Sequence, residues 1–354
     1  VLKRTLIKIF LWLNFLLALM LAGSYISVYV PPDSLWIASL FGLAFPVFLI
    51  FNILFIIFWI FFKPRYLIIS LVTVIAGWGF ISRYIRLESD TTGSEGVKIL
   101  SYNVKNFDFK GKGEAKKTAD SITSFLKSKA PDIICLQEMR LRSNHLFNLS
   151  QFVRESDFVD HYQYARTAYF GGIVTMTRYP IINMGEIRFE NSGNMAIFTD
   201  VIIDEDTIRI FNVHLQSYQI DPEKYTVIES PGITEESDLR QIREMGSKFK
   251  RAFIMRAGQA RIISENINWS PYPVLICGDF NDTPVSYTYR KVRGGLKDAF
   301  VESGKGMGRT YVGKLPSFRI DYIFHSGQFD SYYFNPEKIY FSDHLPVSCL
   351  LVKK

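Results

Sequence analysis

Charge is missing from most of the first quarter of this chain. Ile9–Val30, Ser34–Phe62 and Tyr66–Ser82 contain no Asp, Glu, Lys or Arg, in a 354-residue sequence that carries 30 Phe. A bilayer core about 30 Å thick takes roughly 20 apolar residues of helix. The first two stretches reach that length, and the third sits at its short end. The same absence excludes proton relays and ion pathways, which place ionisable groups inside the membrane. An anchor is the role that is left. No clear small-residue cleavage site follows the first stretch and two further apolar stretches come after it, which argues against a signal peptide.

Cysteine is scarce too. Cys135, Cys277 and Cys349 are odd in number, lack metal-ligand spacing and lie in apolar runs. They exclude a disulfide framework and a zinc site and are expected as buried small hydrophobes. A basic surplus is also missing where it would count. The net charge is +7, but seven Lys/Arg and four Asp/Glu lie at or before Glu95, leaving 34 against 30 in the rest. That near balance excludes a broad field for polyphosphate backbones. The cluster Lys248, Lys250, Arg251, Arg256 and Arg261 is accounted for by a solvated helix face.

What is present begins with an anchor over residues 1–86, with helices expected at about 9–30, 34–62 and 66–82. Backbone groups in a bilayer must pair within the segment, so these are expected to be helices. Trp12, Trp36, Trp59 and Trp78 lie in or beside them, and Lys3, Arg4, Lys8, Lys63 and Arg65 flank them. By the positive-inside rule the N-terminus and the Lys63–Arg65 turn are cytoplasmic. Three crossings then place the remainder outside the cytoplasm, although Arg83 and Arg86 pull the other way.

A polar linker over residues 87–96 leads into an α/β domain over 97–354. Short apolar runs read as strands at Val97–Tyr102, Ile133–Leu136, Gly172–Thr177, Met195–Ile203, Thr207–Val213, Val274–Cys277, Ile320–Phe324 and Val347–Val352. Glu114–Ser128 and Arg251–Ile267 carry helical spacing, and Pro131 ends the first of these. Gln216–Met245 is polar and reads as a long loop with some helix.

Chemistry-bearing residues recur where these runs end: Asn103, Glu138, His214, Asp279 with Asn281, Asp321, and Asp343 with His344. Ligands of α/β sheets bind at the carboxyl ends of strands. Carboxylates, amides and histidines gathered there suit Mg²⁺ or Mn²⁺ bound through oxygen to a phosphate ester. Each residue alone has a plainer explanation. Asn103 could form a turn, Glu138 could pair with Arg140 or Arg142, Asp321 could pair with Arg319, and Asp343 could cap a turn. Their common order is what turns the balance. Arg256 and Gln259 read as structural, and His145, His161 and His325 have no partner pattern.

These segments, above all Gly278–Asp279–Phe280–Asn281, Ser342–Val347 and Gly172–Ile181, resemble the endonuclease/exonuclease/phosphatase family over about residues 97–352. The resemblance implies a four-layered α/β sandwich of two β-sheets flanked by helices, preceded here by a three-helix transmembrane anchor. It implies metal-dependent hydrolysis of a phosphodiester or phosphomonoester without a covalent intermediate. Glu138 would be the principal metal ligand, supported by Asn103 and Asp343. Asp279 would align or deprotonate the attacking water, and Asn281 would hold a phosphate oxygen. His344, paired with Asp321, would contact the phosphate, and His214 would sit opposite. Some nucleases of the family place an aspartate where this chain has Lys105, so no metal role is carried onto it. Tyr169 and Phe170 stay outside the catalytic set because their register is ambiguous. The substrate, nucleic acid or a phospholipid headgroup, is left open, as is the oligomeric state. The competing expectation is a catalytically silent membrane receptor or scaffold, which requires a missing catalytic position; none is missing.

Overall fold

The computed structural model describes residues 2–93, 95–141, 146–166, 171–220, 236–313 and 318–354. From residue 97 on, two six-stranded sheets stack face to face. The strands are β1 (Val97–Asn103), β2 (Ile133–Gln137), β3 (His161–Arg166), β4 (Gly172–Thr177), β5 (Ile181–Arg188) and β6 (Met195–Ile203). They continue with β7 (Asp206–His214), β8 (Val274–Asp279), β9 (Lys297–Asp298), β10 (Asp321–His325), β11 (Phe329–Pro336) and β12 (Val347–Lys353). One sheet runs β11-β12-β1-β2-β4-β3 and the other β5-β6-β7-β8-β10-β9.

Alternation along each strand builds the layers, because successive side chains point to opposite faces. Ile99, Ile133, Cys135, Leu275, Cys277, Ile323 and Cys349 fill the seam between the sheets. Leu100, Tyr102, Ile134 and Leu136 face the other way, onto Ala119, Ile122, Phe125 and Leu126. Those four lie on one side of the helix Ala115–Lys129, which ends where Ala130 turns left-handed (φ 43°) just ahead of Pro131. On the far side, Phe211, Ile276 and Phe324 meet Ala260 and Ile263 of the helix Glu236–Asn268. The result is helix, sheet, sheet, helix. All three cysteines are free and buried.

The N-terminal part departs from three uniform helices. We number the helices α1 (Leu2–Ser27), α2 (Pro32–Leu35), α3 (Ile37–Leu43), α4 (Phe45–Phe62), α5 (Leu67–Ala76) and α6 (Trp78–Ile81). In the α/β domain they continue as α7 (Ala115–Lys129), α8 (Leu149–Glu155), α9 (Glu236–Asn268), α10 (Tyr287–Arg293) and α11 (Ala299–Ser303). The expected helix 34–62 is broken at Trp36 and Ala44, and α4 starts where Pro46 falls in its first turn. Proline is tolerated there because that N–H has no intrahelical partner. Two helices, Lys3–Ser27 and Phe45–Phe62, are long and apolar enough to cross a membrane; the apolar segment Pro64–Ala76 is shorter.

A polar chain joins α1, α4 and α5. Trp59 Nε1 donates to Asn14 Oδ1 (2.8 Å), Asn14 Nδ2 to Ser70 Oγ (2.5 Å), and Ser70 Oγ to Asn52 Oδ1 (2.8 Å). Asn52 Nδ2 then closes on Leu17 O (3.0 Å) and Phe48 O (2.8 Å).

One end of this bundle is docked on the α/β domain. Val285 packs among Leu21, Val28, Phe45, Leu49 and Tyr84. Gly42 comes so close that an added Cβ would stand 2.2 Å from Val285 O, so the approach admits glycine alone. Arg83 Nη1 donates to Pro284 O (3.3 Å), and Arg319 Nη2 donates to Arg83 O (2.8 Å). Arg86 and Gly306 exchange backbone hydrogen bonds of 3.0 and 2.8 Å. The linker follows the domain surface: Ser89 Oγ donates to Ser303 O (2.8 Å), and Tyr333 OH donates to Thr91 O (2.6 Å).

Candidate active site

Strand register brings the cleft together. In the parallel pair β1/β2, Asn103 stands opposite Gln137, so Glu138 leaves the sheet beside it. In the parallel pair β7/β8, His214 stands opposite Asp279, and across the antiparallel pair β8/β10 Asp279 faces Asp321. Gly278 permits the tight fit of β8 on β7, since its φ is 144° and a Cβ would lie 1.9 Å from Val213 O.

Asn103 is the bridge between the sheets. Its Nδ2 donates to Glu138 Oε1 (3.1 Å) and to Asp279 Oδ2 (2.9 Å). Asn281 Nδ2 reaches the same Asp279 oxygen (3.1 Å) and Leu215 O (2.9 Å). Two imidazoles face Asp279: His344 Nε2 lies 3.7 Å and His214 Nε2 3.8 Å from Oδ2. His214 Nε2 is also 3.5 Å from Glu138 Oε1, yet it is buried without a hydrogen bond. Asp321 Oδ2 braces His344 Nδ1 at 2.9 Å. Seven of the eight residues singled out from sequence thus form one network. Asp343 stands one step away, with its Oδ2 2.5 Å from Lys105 Nζ.

The electrostatics follow from burial and company. Burial pushes the Asp279 carboxyl above its usual range, and repulsion from Asp321 adds to that, against the opposing pull of His344 and His214. For His344 burial works to lower the pKa, but the Asp321 and Asp279 carboxylates outweigh it and hold the imidazole well above its ordinary value. A braced, cationic imidazole beside a buried carboxylate can donate to a phosphate oxygen while the carboxylate handles a proton.

Backbone strain concentrates here. Lys105, Asn106, Phe107, Glu138 and Asn281 all have φ between 43° and 65°. For L-residues this left-handed region costs about 1–2 kcal/mol each, and such strain gathers at functional sites. The turn sets Asn106 Nδ2 3.5 Å from Glu138 Oε2 and leaves Asn106 Oδ1 buried without a partner.

The donor set fits a hard divalent cation. Glu138 and Asp279 offer carboxylate oxygens and the asparagines amide oxygens, while the Asp343 carboxylate is met by Lys105; Mg²⁺ and Mn²⁺ favour oxygen donors. Asp279, Asp321 and His344 also form a buried trio with ligand atoms within 4.8 Å of one another. Within that trio Asp321 already engages His344 Nδ1, which leaves Nε2 as the free nitrogen of the ring.

Of the plainer readings, the turn at Asn103 is present, with Lys105 N–H donating to Asn103 Oδ1 (3.0 Å). Arg319 binds Asp298 (2.9 Å) rather than Asp321, while Arg256 and Gln259 are structural, holding Gln216 O (2.7 Å) and Gln216 N (2.9 Å). His161 lies exposed on β3, whereas His325 Nε2 is buried 2.9 Å from Glu302 Oε2. Arg142, His145, Tyr169, Phe170 and the part of the expected loop over 221–235 lie outside the described residues. Sequence reasoning passed over Asn106 and also Tyr311, whose ring meets His344 edge-on at 5.4 Å.

Residues 100–344 match the Endonuclease/Exonuclease/phosphatase family, and residues 7–84 match a domain of unknown function (DUF8431). No curated protein sequence matches the chain. Among solved structures, D. rerio TDP2 complexed with a single-strand DNA product is 15% identical at a TM-score of 0.52, over 73% of this chain and 100% of that one. C. elegans TDP2 is 17% identical at 0.51, over 72% and 96%. The human Nocturnin catalytic domain with bound sulfate is 17% identical at 0.50, over 73% and 94%. At these identities the likeness establishes the fold.

Proposed function

The chain belongs to the Endonuclease/Exonuclease/phosphatase family of metal-dependent phosphoester hydrolases, and from that premise we propose that it is a membrane-anchored, Mg²⁺- or Mn²⁺-dependent phosphoesterase. The observation that carries this reading is the bridging of Glu138 and Asp279 by one amide, Asn103, with two histidines facing the same carboxylate. Glu138, with Asn103 in support, would hold a divalent cation that would shield the phosphate charge and orient the ester, while Asp343, paired with Lys105, would support that site through its charge balance. Asp279 aligns the attacking water and accepts its proton, helped by a carboxyl that burial has made more basic. Asn281 steadies Asp279; both of its Nδ2 hydrogens are taken, by Asp279 Oδ2 and Leu215 O, so it would hold a phosphate oxygen by exchanging one of them for the substrate. His344, held by Asp321, donates to the phosphate, and the unspent Nε2 of His214 meets the developing charge from the opposite side.

Anchoring is supported by the two long apolar helices and by exposed Trp12, Phe61, Ile75 and Trp78 on the bundle exterior. The catalytic domain docks at the end holding Val28, Phe45 and Tyr84, away from Lys3, Arg4, Lys63 and Arg65. With cations on the cytoplasmic side, that arrangement favours an extracytoplasmic catalytic domain. A receptor or scaffold that had lost turnover would lack a part of the network, and none is missing.

The docking contact also bears on the substrate. Val285 is six residues from Asp279, so the segment that leaves the cleft is the one that meets the bundle. This favours a bilayer-resident phosphoester over a nucleic acid, and the near-neutral charge of the domain agrees. The test is a Mg²⁺-dependent screen of supercoiled DNA, sphingomyelin vesicles and phosphoinositide vesicles, with His344→Ala as control. The expected outcome is turnover of a lipid that the control loses by about 10²- to 10⁴-fold. Turnover of DNA alone would overturn the lipid assignment, and equal turnover by the control would overturn the enzymatic one.

A further inference from the structure

Lys105 is a cation that the proposed chemistry does not yet use. Its Nζ lies 2.5 Å from Asp343 Oδ2, with 40% of the lysine side chain exposed against 11% for the aspartate. Nothing about its position is casual. The Lys105 N–H donates to Asn103 Oδ1 (3.0 Å), the Asn106 N–H donates to Glu138 O (2.8 Å), and Lys105, Asn106 and Phe107 are left-handed in succession. Phe107 is wholly buried in the core beneath and pins the turn from below. The same curl that brings Asn106 to Glu138 therefore aims the ammonium at Asp343, and the chain accepts a strained backbone to do so.

The carboxylates of the cleft divide accordingly. Glu138 and Asp279 are met by amides and imidazoles, and among the described residues neither is paired with a lysine or arginine. Asp343 alone has a lysine. An anionic oxygen already paired with a fixed ammonium gains little from a divalent ion, which would first have to displace it. We infer that Lys105 is a built-in cation that neutralises Asp343 in place of a second metal, so that the site holds a single divalent ion on the Glu138–Asn103 side. This is a positioning and charge-balancing role, and it rests on the phosphoesterase reading above.

The experiment is Mn²⁺ titration by calorimetry on the full chain in detergent micelles, which reads stoichiometry independently of turnover. Wild-type protein should bind one ion per chain. Lys105→Met keeps the stem but removes the charge, and it should admit a second ion at least about tenfold tighter than any wild-type secondary binding. Lys105→Arg, which keeps the cation, should return to one. Two ions in the wild type would overturn the inference, as would Lys105→Met with one ion at unchanged affinity. Glu138→Gln should lose the first ion. If the wild type binds none at all, the metal-centred reading of the site falls, and this inference with it.

Discussion

Two buried polar clusters, one in the helical bundle and one in the cleft, look alike in composition and differ in how their atoms are spent. In the bundle, Asn14, Asn52, Ser70 and Trp59 are fully enclosed, and their donors and acceptors are matched to one another or to backbone carbonyls. In the cleft, Asn103 and Asn281 are similarly engaged, but His214 Nε2 and Asn106 Oδ1 are buried with no hydrogen bond. Buried polar groups left unpaired cost about 1–3 kcal/mol each. A cluster that closes on itself stabilises helix contacts; His214 Nε2 and Asn106 Oδ1, facing Glu138, are left open to a ligand. Unpaired atoms alone do not mark the cleft, since Tyr84 OH and Arg256 Nε are also buried without a hydrogen bond; in the cleft they stand beside carboxylates gathered from both sheets.

The sharpest way to break the comparison is to substitute one member of each cluster. Glu138→Ala removes the oxygen that faces Asn103, His214 and the expected cation, and metal-dependent turnover should fall by about 10³-fold or more, with little change in thermal stability. Asn52→Leu does the reverse. It should weaken the bundle by about 1 kcal/mol, the usual scale for polar contacts between membrane helices, and leave kcat as it was. Paired measurements of kcat and of unfolding in detergent decide the matter, and a large kcat loss in Asn52→Leu would erase the distinction.

Next in size is a change at the contact that joins the two regions. Gly42→Leu drives a side chain into Val285 O, a backbone atom that cannot step aside. Val285 lies in the segment that begins at Asp279, and small misplacements of a reacting group are costly. A fall in kcat of about 10- to 100-fold is expected, together with new proteolytic cutting in the linker 87–96. If kcat is unchanged while the linker opens, the bundle is a tether and the cleft is independent of it.

How much of this could be read from residues alone follows the same physics. The strand-end residues were legible because a buried parallel strand is a short apolar run, and its carboxyl end is where the run stops. Asn103, His214 and Asp279 each fall at such a stop. Lys105 and Asn106 owe their positions to a left-handed turn that no periodicity announces, and Tyr311 comes from a segment without a pattern. The strands β5 and β11 escaped notice because exposed residues interrupt their apolar positions. In the anchor, hydropathy alone cannot see a break between equally apolar residues, so the division at Trp36 and Ala44 was hidden. Asn14, Asn52 and Ser70 were missed for a related reason: a search for ionisable groups steps over uncharged ones.

The smallest expected effect tests whether a charged cluster can also be spent in the manner of the bundle. Glu302 lies away from the cleft, with Oε1 2.6 Å from Lys297 Nζ and Oε2 accepting from Ser331 Oγ (2.8 Å) beside His325 Nε2 (2.9 Å). Burial alone would raise its pKa, but hydrogen bonds from His325, Lys297 and Ser331 outweigh it and bring the value from 4.5 down to about 2. A carboxyl whose pKa is lower folded than unfolded stabilises the fold once pH exceeds the unfolded value. That contribution should therefore be complete above about pH 4.5 and lost progressively as pH falls through about 2. Urea midpoints measured from pH 6 downward should decline across this window, and Glu302→Gln should flatten the decline without altering kcat at neutral pH. An unchanged slope in the variant would mean that the acid sensitivity comes from other carboxylates, and that this cluster is less closed than its geometry implies.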